Sequence, residues 1–190
     1  MSTPRASTVR PLTIFDAMTL VAAVAVGIAV SRGVDADQVV YLNRGQPALM
    51  PLATLTMLLI EWLPLPAALS LAVLGLNCKA PRPPARRLAR RPGFAACLAV
   101  LVAMVGSLTF LTPLTWTIGL IKTTHHVGEV LLELLASQIG VGVATAWLLM
   151  ALKGAWTIGP SWLERLGVAL GAFWVFLTLA FGFVVVMDML

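Results

Sequence analysis

Five apolar runs follow one another along the chain, at 13–31, 49–76, 94–121, 127–152 and 160–190, and polar or charged residues collect between them. A helix rises about 1.5 Å per residue and needs roughly 20 apolar residues to cross the hydrocarbon core of a bilayer. The pattern therefore predicts an all-α membrane protein, one domain built as a bundle of about five transmembrane helices. Runs longer than the minimum imply tilt. The first run opens on "TIFD", in which Thr13 is placed to cap the helix and Asp16 to occupy its first turn, at the positive end of the helix dipole.

Lipid tails are as apolar as leucine, so helices in a bilayer associate through close packing and polar contacts. Small residues four apart predict the seams. They are Ala23, Gly27 and Ser31 in the first run, Ala95, Ala99, Ala103 and Ser107 in the third, Ala136, Gly140 and Ala144 in the fourth, and Gly167 and Gly171 in the fifth. In the second run Pro64 and Pro66 lack N–H groups, which removes the helical partners of the Ile60 and Trp62 carbonyls and predicts a kink. Trp116, Trp156 and Trp162 fall near run ends, as interfacial anchors do. "WTIG" occurs at 116–119 and again at 156–159, but the flanking residues do not match, and it reads as coincidence rather than an internal repeat.

Composition agrees with this pattern. Hydrophobic residues make up 59% of the 190 positions and charged residues 11%, against roughly 45–50% and 25% in soluble domains; the mean hydropathy is +0.95. An isoelectric point near 10.0 in a soluble chain would point to nucleic acid. Here the basic residues sit between apolar runs, where membrane orientation accounts for them, and no nucleic-acid role is expected. With the N-terminus inside, the inner side collects Arg5, Arg10, Lys79, Arg82, Arg86, Arg87, Arg90, Arg91, Lys153 and Arg165, and the outer side keeps only Arg32, Arg44 and Lys122. Ten against three predicts five crossings with the C-terminus outside. A re-entrant second run would put the Lys79–Arg91 connector outside, against that bias. A signal peptide ending after Ser31 would leave four crossings; Asp16 and the length of the run favour an uncleaved anchor.

Candidate chemistry is sparse. Glu61 lies near the middle of the second run, and an intramembrane carboxyl is a candidate proton or cation site. The two carbonyls released by the prolines would add oxygen ligands at the same depth, as broken helices do in transporters. The competing reading is a packing contact, with Ser107, Thr109 or Gln138 as hydrogen-bond partner. In "HHVGEVLLELL" at 125–135, His125, Glu129 and Glu133 recur every four residues and His126 lies three before Glu129, so they share a helical face. That set suits a divalent metal or a proton relay, and it equally describes a wet helix start with acids at the positive end. Arg82, Arg86, Arg87, Arg90 and Arg91 predict contact with anionic lipid headgroups, at about 1 kcal/mol per basic residue near the surface. Asp35 and Asp37 lack the ligand register of a calcium loop. Cys78 and Cys97 form neither a disulfide framework nor a metal pattern. Without a nucleophile motif, a phosphate loop or paired haem ligands, an enzyme is disfavoured and no cofactor is expected.

The opening "LTIFDAMTLVAAVAVGIAV" at 12–30, behind a short polar leader, resembles the N-terminal helix of uncharacterised multi-pass membrane proteins of planctomycete-type bacteria. The resemblance covers that helix alone; it implies a bacterial inner membrane and assigns no activity and no site residue. Two functions are expected from the sequence. One is a non-enzymatic bundle acting as subunit or scaffold in a membrane assembly, with membrane-protein partners or further copies of itself. The other is a small proton- or cation-coupled transporter or channel component using Glu61.

Overall fold

The computed structural model describes residues 12–32, 59, 62–78, 88, 90–117, 127–156 and 161–189, and at 108, 110–117, 127–134, 184–185 and 187–189 it describes the backbone alone. The described residues form five helices and no strand: α1 (Ile14–Ser31), α2 (Pro64–Cys78), α3 (Pro92–Thr117), α4 (Val127–Leu152) and α5 (Trp162–Met189). α1 begins as its sequence predicts. Asp16 N–H donates to Thr13 Oγ1 at 3.2 Å and Thr13 N–H donates to Asp16 Oδ2 at 3.1 Å, a reciprocal capping box that satisfies two donors the helix cannot.

The prolines of the second run act differently from expectation. Trp62 and Leu63 form a turn and a helix starts at Pro64, so both prolines occupy its first turn, where a missing N–H costs nothing. The Trp62 carbonyl is not free, because it accepts from Leu65 N–H at 3.0 Å. Further along, Ser70 donates its hydroxyl to Pro66 O at 2.7 Å and accepts from Trp174 Nε1 at 3.4 Å, which ties α2 to α5.

Neighbouring helices alternate in direction. Gly27, late in α1, meets Leu65, early in α2, so closely that a Cβ would fall 2.6 Å from the Leu65 Cα. Leu20 packs with the Val73, Leu74 and Leu76 cluster at the other end of α2. Trp147 Nε1 of α4 donates to Pro92 O of α3 at 3.0 Å while Ser107 bonds Gln138, so α3 and α4 are antiparallel. α5 pairs Gly167 with Gly93 and Gly171 with Ala96, which sets it parallel to α3, and pairs Thr178 with Ala136 and Gly140 of α4. α3, α4 and α5 pack on one another; α2 lies against α3 and α5, and α1 packs chiefly on α2. The core runs through this centre, where Val73, Ile139, Val143, Trp174 and Leu177 are fully buried.

α4 closes with a Schellman motif: Ala155 N–H reaches Met150 O at 2.9 Å and Gly154 N–H reaches Ala151 O at 3.0 Å, with Gly154 at φ 59°. Only glycine takes that left-handed position without strain. The reversal returns Trp156 onto Trp147, edge to face with ring centroids 5.6 Å apart.

The outer surface is as oily as the interior. Val102, Leu148 and Leu179 are 63%, 60% and 67% exposed, and soluble monomers rarely expose apolar surface on this scale. α1, Leu135–Leu152 of α4 and Trp162–Phe183 of α5 are each long and apolar enough to cross a membrane; Pro64–Cys78 and Pro92–Ser107 are shorter apolar helical segments. The described residues form an all-helical bundle with the features of a membrane protein.

Candidate functional site

Most residues singled out in the sequence lie outside the described residues: Glu61, His125, His126, Arg82, Arg86 and Arg87. Glu129 and Glu133 fall in the first two turns of α4, where the backbone alone is described. Arg90 is exposed in the turn before α3 and Arg91 is half-buried beside it. Two of the polar groups considered as partners for Glu61, Ser107 and Thr109, have other engagements. Ser107 Oγ donates to Gln138 Oε1 at 2.8 Å, and Thr109 Oγ1 donates to Val105 O within its own helix at 2.7 Å.

Two sites emerge among the described residues. The first is a polar junction where the starts of α3 and α5 meet. Ser161 is the N-cap of α5, receiving Glu164 N–H at Oγ at 3.3 Å. "SWLE" at 161–164 thus has the spacing of a local capping box. Its carboxyl goes elsewhere: Glu164 Oε1 accepts from Gly93 N–H of α3 at 2.7 Å. The N-cap position of α3 is Arg91, whose side chain carries no acceptor, so α5 supplies the cap that α3 lacks. Glu164 is 1% exposed, and its Oε2 has no hydrogen-bond partner among the described residues. Arg91 lies near enough to act on it electrostatically, and the positive ends of two helix dipoles add to that charge. The two backbones touch here: a Cβ on Gly93 would fall 2.5 Å from Glu164 O, and one on Gly167 2.8 Å from Gly93 O. Sequence reasoning passed over Glu164, although the Ser161-to-Glu164 spacing was a usable signal of a capped helix start.

The second is an open groove of about 650 Å³ between α3 and α4. Its walls are Phe94, Ala95, Leu98, Ala99, Val102, Ala103 and Gly106 of α3 with Gly142 and Ala146 of α4, and Ser107 and Gln138 close one end. The third-run stripe expected to be a seam, Ala95, Ala99, Ala103 and Ser107, borders this groove and meets α4 at Gly142 and Gln138, while the fully buried face of α3 is Ala96, Cys97 and Val100. Ala144, from the fourth-run stripe, is exposed. Gln138 is the twelfth of the 26 residues of α4, exposed near mid-length, and Ser107 is its hydrogen-bond partner. Its amide carries two N–H donors, neither of which has a partner among the described residues.

No family model, curated protein or solved structure matches this chain.

Proposed function

We propose that this chain is a five-crossing protein of a bacterial inner membrane, with its N-terminus in the cytoplasm, and that it serves as a non-enzymatic subunit or scaffold of a membrane assembly. The observation that carries the assembly role is the α3–α4 groove with Gln138 exposed at its end. Hydrocarbon cannot hydrogen-bond an amide, so a polar side chain near mid-depth gains from a partner that lipid does not provide. Small residues along the groove allow another backbone to approach closely. An apolar helix carrying one polar group, from a second copy or from another subunit, fits both features.

The crossing count and orientation draw support from the alternating helix directions. These directions bring the starts of α1, α3 and α5 and the ends of α2 and α4 to one end of the bundle. Arg90, Arg91, Lys153 and Arg165 belong to that end and Arg32 to the other, which is the asymmetry the positive-inside rule requires of a cytoplasmic face. α3, at 26 residues, is about 39 Å long and has the reach to cross.

Gly106→Leu tests the assembly role. No atom lies within 4 Å of a Cβ built at Gly106, so the substitution fills the groove and leaves the bundle intact. The expected result is loss of the chemically cross-linked assembly in native membranes with unchanged monomer yield. Cross-linking equal to the wild type would remove this groove as the docking site.

A further inference from the structure

The sequence assigns anionic lipid to the connector arginines alone; the fold adds two residues from distant parts of the chain. Pro92 O accepts from Trp147 Nε1, and Trp156 meets Trp147 edge to face, which brings the turn after α4 over the start of α3. The Gly93–Glu164 bond brings the first turn of α5 to the same place. Lys153 and Arg165 therefore share one end of the bundle with Arg90, and all three are exposed. The acids of that end, Asp16 and Glu164, are 0% and 1% exposed. Among the described residues the exposed charge there is entirely positive. Trp156, 38% exposed beside this rim, has the amphipathic character of residues at the headgroup level.

We infer that Lys153 and Arg165, together with Arg90, form a headgroup site for an anionic phospholipid across the α3 start, the α4 end and the α5 start. The inference rests on reading this end as the cytoplasmic membrane interface. Charge complementarity identifies the ligand: a phosphodiester bearing net negative charge, held at the depth where a lipid presents it. Free phosphate has the same chemistry without the acyl chains that hold it at this level.

The full chain is purified in micelles doped with equal amounts of phosphatidylglycerol and phosphatidylcholine, and native mass spectrometry reads the ratio retained. The wild type is expected to enrich phosphatidylglycerol. Lys153→Gln and Arg165→Gln should each lower that enrichment roughly fivefold, and the double variant roughly 30-fold, from about 1 kcal/mol per basic residue. Arg32→Gln, at the opposite end, should leave it unchanged. Both substituted side chains are exposed, so the variants are expected to fold, and Lys153→Arg should restore the wild-type ratio. Wild-type enrichment in the double variant, or no enrichment in the wild type, overturns the inference and leaves the orientation standing. Loss of enrichment in Arg32→Gln alone would place the lipid at the other end and take the orientation with it. If excess inorganic phosphate strips the phosphatidylglycerol to the level of phosphatidylcholine, the site is one for free phosphate and the inference fails.

Discussion

Gly140→Ala is expected to destabilise the bundle by roughly 3 kcal/mol, the upper part of the range for overpacking a filled core. A Cβ at Gly140 would fall 2.5 Å from Trp174 O and 2.6 Å from Thr178 Cβ. The carbonyl belongs to the α5 backbone and cannot swing aside, so α4 and α5 must separate. Separation also strains the Thr178 hydroxyl, which donates to Ala136 O at 3.2 Å and Trp174 O at 3.0 Å. Alanine's better helix propensity, about 1 kcal/mol over glycine, offsets only part of this. Gly75→Ala and Gly182→Ala are the controls. A Cβ at either position meets nothing within 4 Å, so both should be neutral or slightly stabilising. Unfolding midpoints in detergent, compared across the three variants, check the contrast; equal midpoints would mean that α4 and α5 do not cross at Gly140.

Glu164→Ala is expected to cost about 2–3 kcal/mol. It leaves the Gly93 N–H buried without an acceptor and removes a hydrogen bond to a group that can carry charge. Glu164→Gln keeps an amide oxygen where Oε1 stands and should cost less, roughly 1 kcal/mol. Hydrogen exchange of the peptide spanning residues 91–97 checks this directly: protection should fall most in the alanine variant and least in the glutamine variant. Equal protection in all three proteins would show that the start of α3 is held by something other than α5.

These two effects differ in how far the sequence exposes them. Gly140 belongs to a stripe of small residues, and so do Gly27, Gly167 and Gly171; all four sit at close helix contacts that a side chain would block, with backbone at Gly27, Gly140 and Gly167 and with the Trp147 ring at Gly171. The start of α1 is equally legible, since a capping box is local chemistry between residues three apart. The same logic has limits at Glu164. Its spacing from Ser161 announces a helix start, but the destination of its carboxyl, 71 positions away at Gly93, exists only once α3 and α5 are packed. The fully buried face of α3 is hidden for a related reason. Lipid-facing and core-facing positions are alike in hydrophobicity in a bilayer, so Ala95 to Ser107 and Ala96 to Val100 look equivalent in sequence. Pro64 and Pro66 signal a break in either reading, and whether a helix bends or begins there depends on the turn at Trp62 and Leu63.

The central claim is that the end of the bundle bearing Arg90, Arg91, Lys153 and Arg165 faces the cytoplasm. The chain carries its own reporter there: Cys78, at the end of α2, is exposed, while Cys97 is buried. In intact bacterial cells expressing the full chain, a membrane-impermeant maleimide is expected to leave Cys78 unmodified until the membrane is permeabilised, and to modify Arg32→Cys in a Cys78→Ser background without permeabilisation. Rapid modification of Cys78 in intact cells, with Arg32→Cys protected, would contradict the orientation.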